Sequence, residues 1–181
     1  QTFSVSGSGT LGYNIDGGNL ALTKDSNVTL GGKTYSTGNT TVGNGILTVS
    51  THATLGSGNN SRVDMTTAGG RLTNYGKVNA NIDMGRGTSL LNEGTMNGTL
   101  QMGGGATVIN NGKISGKLTV QKGARAFGSG IFSDTVVESG GFLHAGNSPG
   151  YQSHKAMTLQ SGSTISFSVD GTRPATAEQA G

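Results

Sequence analysis

The side chains of this sequence best suited to chemistry are a serine, three histidines and a pair of acids, and their spacing argues against most catalytic uses. Gly146-Asn147-Ser148-Pro149-Gly150 has the G-x-S-x-G form of a nucleophile elbow, with His144, His154 and Asp170 nearby in the chain. Such an elbow works on a strand-to-helix turn that lifts the hydroxyl towards its base, and no helix-forming segment follows here. A tight Pro-Gly turn is the reading these residues support. His52, His144 and His154 stand apart from one another, so no metal site is expected, and no cofactor is implied. Asp64 and Asp83 occupy comparable positions of successive repeats, as the acids of a polysaccharide lyase or hydrolase would along a groove. The next two positions, however, are Gln101 and Thr119. A solvated face is the preferred reading of the two acids, and no catalytic residue is assigned.

The basic residues are better placed for contact than for catalysis. Lys77 and Lys113 share a repeat column, Arg86 and Lys122 lie close in the same frame, and Arg71 and Arg125 fall near the turn corners. Lys77, Arg86, Lys113 and Lys122 therefore form the expected ligand or self-association face. A net charge of +3, from 12 basic and 9 acidic residues, is too weak and too scattered for nucleic acid to be an expected partner.

These residues must be held by a fold of unusual composition. Gly, Ser, Thr and Asn make up about half of the 181 residues, which excludes a helical protein. Only two Pro and the low net charge, with Val, Ile, Leu, Met and Phe returning at short intervals, argue against disorder. There is no Cys, hence no disulfide and no thiolate chemistry, and no apolar run approaches the length of a membrane span. The first residues, QTFSVSGSGT, lack the features of a signal peptide and suggest a mature or trimmed chain.

From residue 72 the chain copies itself every 18 residues, as LTNYGKVNANIDMGRGTS, LLNEGTMNGTLQMGGGAT, VINNGKISGKLTVQKGAR and AFGSGIFSDTVVESGGFL. Gly87, Gly105, Gly123 and Gly141 superimpose in this frame, as do Val78, Met96, Ile114 and Phe132, and Ile82, Leu100, Leu118 and Val136. Alternation such as Ile82-x-Met84 marks strands buried on one side. A repeat this short cannot bury its own apolar face, so successive repeats must stack as coils, each strand pairing in parallel with its equivalent. The expected fold is all-β: a right-handed parallel β-helix of about nine turns over residues 1 to 171, on the order of 40 Å long, with a tail from 172 to 181. Asn74, Asn92 and Asn110 fall in one turn column and predict a structural amide ladder. Residues 31 to 45 and 56 to 62 read as inserts that protrude from the coil, the usual place for recognition.

Two stretches resemble the passenger domains of bacterial autotransporters. In residues 20 to 58, Leu30, Gly32, Thr34, Tyr35, Gly38, Thr40, Val42, Gly45, Leu47 and Val49 are similar to the autotransporter-associated β-strand repeat. GFLHAGNSPG with LQSGSTISFSVDG resembles a passage near the end of many passengers, departing from it at His144 and Ala145. The resemblance implies a parallel β-helix exported to the surface of a Gram-negative bacterium or released from it. It also implies a membrane connection only through a C-terminal β-barrel outside this sequence. Adhesion, self-association or biofilm formation is the implied activity, with a host glycan, an extracellular-matrix protein or another copy of the chain as partner. The alternative is a stem supporting an upstream subtilisin-like protease domain.

Overall fold

A computed structural model describes residues 1–23, 25–146 and 151–168. Every regular element among them is a strand, and every strand pairing is parallel: the chain is a β-solenoid. The repeat around residue 90 shows how a coil is made. Asn81–Met84 forms a first limb, Ser89–Asn92 a second and Thr95–Met96 a short third. Each limb alternates buried and outward residues, because a side chain pointing inward meets the same column of the coils above and below. The second limbs stack into a nine-stranded sheet, and the first and third limbs belong to a sheet of fifteen strands. The chain makes about 8 turns with a period of about 19 residues. The 18-residue step holds only in the middle, where Ser89 pairs Thr107 and Thr107 pairs Arg125.

The core is a continuous column down the coil axis. Leu72, Leu90, Val108 and Ala126 succeed one another beneath the second limb, and Val78, Met96, Ile114 and Phe132 beneath the third. The corner between first and second limbs is built on glycine. Gly69, Gly87, Gly105, Gly123, Gly140 and Gly162 all have φ between 75° and 89°, a region open to glycine at little cost. Each of the first five donates its N–H to the carbonyl of the next glycine in the column, at 2.8 to 3.1 Å. The corner is thus hydrogen-bonded along the axis as the limbs are.

The fourth 18-residue repeat departs from its expected frame. Leu118 pairs Thr135, a step one residue shorter, so Thr135 is buried and Val136 faces outward above Thr119. Gly140, not Gly141, continues the glycine column. The cause is Ile131–Val137, which runs unbroken from third limb to first. The lower coils turn a corner there, at Asn79-Ala80-Asn81, Asn97-Gly98-Thr99 and Ser115-Gly116-Lys117, and need one residue more.

A second expectation is overturned at residues 31 to 45, which do not protrude. They contain the strands Thr34–Ser36 and Asn39–Thr41, both paired within the coil. Tyr35 is fully buried; its hydroxyl donates to the Leu11 carbonyl and accepts from the Gly32 amide at 2.7 Å. A Cβ on Gly32 would stand 2.9 Å from that hydroxyl, so the two residues require each other. Residues 56 to 62 do form an enlarged corner, closed by Ser61, whose Oγ donates to the Thr37 carbonyl at 2.7 Å.

Candidate functional site

Asn74, Asn92 and Asn110 stand at the corner between second and third limbs, each completely out of solvent. The Nδ2 of Asn74 donates to the Oδ1 of Asn92 at 2.7 Å, and the Nδ2 of Asn92 to the Oδ1 of Asn110 at 2.7 Å. The Nδ2 of Asn110 closes the series on the Ile131 carbonyl at 3.1 Å, and the Oδ1 of Asn74 accepts from the Gly76 amide. Among the described residues no buried side-chain nitrogen or oxygen lacks a partner. The ladder is internal, with no amide group turned to a ligand.

The four cations of the expected face fall in two separate columns. Lys77 and Lys113 begin third limbs two coils apart with Thr95 between them. Arg86 and Lys122 lie on the glycine corner, across the whole width of the nine-stranded sheet. Arg71 and Arg125 are the first residues of second limbs, in the column Arg71, Ser89, Thr107, Arg125, and so border the same corner as Arg86 and Lys122. The Cγ of Arg86 is 3.0 Å from the point where a Cβ on Gly105 would sit, and the Cγ of Lys122 is 2.8 Å from that of Gly140. Both stems therefore lean over the bare glycine of the coil ahead. Arg125 leans the same way, its guanidinium carbon 5.3 Å from the centre of the Phe142 ring.

An outward strip on the nine-stranded sheet escaped the sequence reading. Leu91, Ile109 and Phe127 are stacked register partners, with Ile109 39% exposed. Phe127 packs tilted against Phe142 at 5.9 Å and His144 at 6.1 Å. A shallow groove runs along this strip between Arg71 and Ile109, floored by Ser89, Leu91 and Thr107. In Leu90-Leu91 and Val108-Ile109 two apolar residues are adjacent; the repeat frame puts Leu90 and Val108 in the inward column, and nothing in it marks their outward neighbours as a strip.

The residues considered for catalysis are engaged elsewhere. Asp64 and Asp83 do stack in register, followed by Gln101 and Thr119. Asp83 is paired with Arg62 at 2.8 Å. Asp64 accepts from the hydroxyl and the amide of Thr66 at 2.6 and 2.9 Å, and the hydroxyl bond holds its carboxyl below the usual range. His154 is stacked on Phe132 at 4.8 Å between the Thr135 hydroxyl and the Gln152 side chain, and burial lowers its pKa. Ser148 and Asp170 lie outside the described residues, as does the tail from 172 to 181. Among the described residues no three His, Asp or Glu side chains come together as metal ligands.

The fold and surface define a parallel β-solenoid with a cationic glycine corner beside an apolar strip. Comparison of the chain with family models, with curated proteins and with solved structures gives no match in any of the three.

Proposed function

We propose that this chain is part of the passenger domain of a bacterial autotransporter and acts at the cell surface without catalysis, in adhesion, self-association or biofilm formation. The observation that carries the reading is the stacking of outward side chains along the coil: in the column Arg71, Ser89, Thr107, Arg125 two hydroxyls stand one turn, about 4.8 Å, apart between cations three turns apart. Such a surface offers many weak contacts in series, and display of many copies multiplies their effect. The two stacked acids support it as well, since Asp64 is committed to Thr66 of its own coil and Asp83 to Arg62 of the coil behind. The partners proposed are a host glycan, a matrix protein or a second copy of the chain.

The test is binding of the fluorescently labelled chain to host epithelial cells, and to bacteria displaying the same chain, at low and high salt. Saturable, salt-sensitive binding supports the reading. Absence of binding from a folded chain favours the second reading, a β-helical stem for an upstream catalytic domain.

A further inference from the structure

The geometry points to the glycine corner as a binding site for an anionic polysaccharide lying along the coil axis, with the apolar strip of the nine-stranded sheet as its second wall. This assignment rests on the adhesive reading and names its ligand class. Four cations border the corner: Arg71, Arg86, Lys122 and Arg125. Among the described residues the one ion pair is Arg62–Asp83, on another limb, so none of the four has a carboxylate partner there. Glu138 stands on the same corner one coil beyond Lys122, its amide bonded to the Val120 carbonyl. Their spacing is set by the coil: Arg86 and Lys122 are two turns apart, about 10 Å, and Arg71 and Arg125 three turns, about 14 Å.

Between Arg86 and Lys122 the intervening coil carries Gly103-Gly104-Gly105, three residues with no side chain. The Arg86 stem crosses this side-chain-free stretch at Gly105, and the Lys122 stem crosses the next coil at Gly140. The second limbs that follow this corner carry the groove of Ser89, Leu91, Thr107 and Ile109, where a hydroxyl column lies beside an apolar one. A chain of sugar rings presents that same alternation, with apolar ring faces, many hydroxyls and spaced carboxylates or sulfates. Arginine and lysine at exposed sites attract such anions over about a Debye length, and the arginine fork also fits them bidentately.

The other polyanions fit less well. An extended acidic peptide gains main-chain hydrogen bonds by adding a strand to an open edge, and this face, in the interior of its sheet with its limbs paired on both sides, offers it side-chain contacts alone. Single-stranded nucleic acid needs aromatic platforms spaced along its path, and among the described residues the rings of the strip, Phe127, Phe142 and His144, are gathered at one end of it.

The test uses the whole 181-residue chain and three probes: dextran sulfate, neutral dextran and poly-glutamate matched to the dextran sulfate in charge. The site predicts saturable binding of dextran sulfate, no binding of neutral dextran, and at least tenfold weaker binding of poly-glutamate. A triple variant, Arg86→Gln with Lys122→Gln and Arg125→Gln, should weaken dextran sulfate at least tenfold. Lys77→Gln with Lys113→Gln and Lys155→Gln removes the same charge elsewhere and should weaken it less than about threefold. Circular dichroism checks that both variants keep the wild-type β spectrum; these side chains are solvent-facing. Equal losses in the two variants, or poly-glutamate bound as tightly as dextran sulfate, would overturn the site in favour of diffuse charge. Cell binding that the corner variant leaves intact would overturn the site while the adhesive reading stands.

Discussion

Asn92 donates to Asn110, one turn ahead, at 2.7 Å, and both side chains are sealed from solvent. Losing Asn92 would strip the Asn110 Oδ1 of its donor inside a closed core. Asn92→Ala is expected to cost about 2 to 4 kcal/mol, from an unpaired buried acceptor plus a small cavity. Asn74→Val should cost less, on the order of 1 to 2 kcal/mol, because the coil behind carries Val49 at that place in the stack and only one ladder bond is lost. Urea unfolding of the two variants checks the ranking.

Glycine is required at the ladder corner for space. A Cβ on Gly94 would run into the backbone of Tyr75 and Gly76 in the coil behind, whereas a Cβ on Gly9 would meet nothing within 4 Å. Gly94→Ala is expected to lower stability by more than about 3 kcal/mol, and Gly9→Ala to stay within about 0.5 kcal/mol. Gly105→Ala falls between, at about 1 to 2 kcal/mol. Its φ of 83° strains an alanine, but the atom it would meet belongs to the movable Arg86 side chain. Thermal unfolding of the three proteins gives the order directly.

The coil was legible in the sequence wherever apolar columns and corner glycines repeat without slippage, as at Leu72, Leu90 and Val108. It was misread where burial is polar. Thr37 and Thr40 are both buried and satisfy one another, Oγ1 to Oγ1, at 3.0 Å, so residues 31 to 45 lack the hydrophobic signal of a coil although they form one. The frame beyond Phe132 slipped for a different reason: whether Ser133-Asp134 turns a corner or runs straight depends on pairing with Ser153–Leu159, a contact local pattern does not encode. The cations were legible one by one. Their division into two columns follows from the width of the sheet between them.

His154 should make stability fall with acid. Burial lowers its folded-state pKa below the ordinary value of 6.5, so near and below that value the unfolded chain binds the proton more readily. Its contribution is fully present above pH 6.5 and is lost as pH drops through the folded value. The melting temperature is expected to be lower at pH 5 than at pH 7.5, with a smaller difference in His154→Asn. Parallel falls in the two proteins would contradict this.

Replacing the stacked acids should leave the rod intact. The Arg62–Asp83 pair is exposed and contributes at most about 1 kcal/mol. Asp64→Asn with Asp83→Asn is therefore expected to move the melting temperature by less than about 4 °C. Cell binding should be unchanged, and a loss of binding or of any glycan-cleaving activity in this variant would point back to an acidic site.

The most direct measure of a function built from serial weak contacts is its dependence on display density. Beads carrying the chain at graded densities would be washed over epithelial cells and compared with the soluble chain. Retention is expected to rise steeply above a threshold density, with apparent affinity at least a hundredfold beyond that of the single chain. Beads retained no better than the soluble chain binds, at any density, would contradict the account.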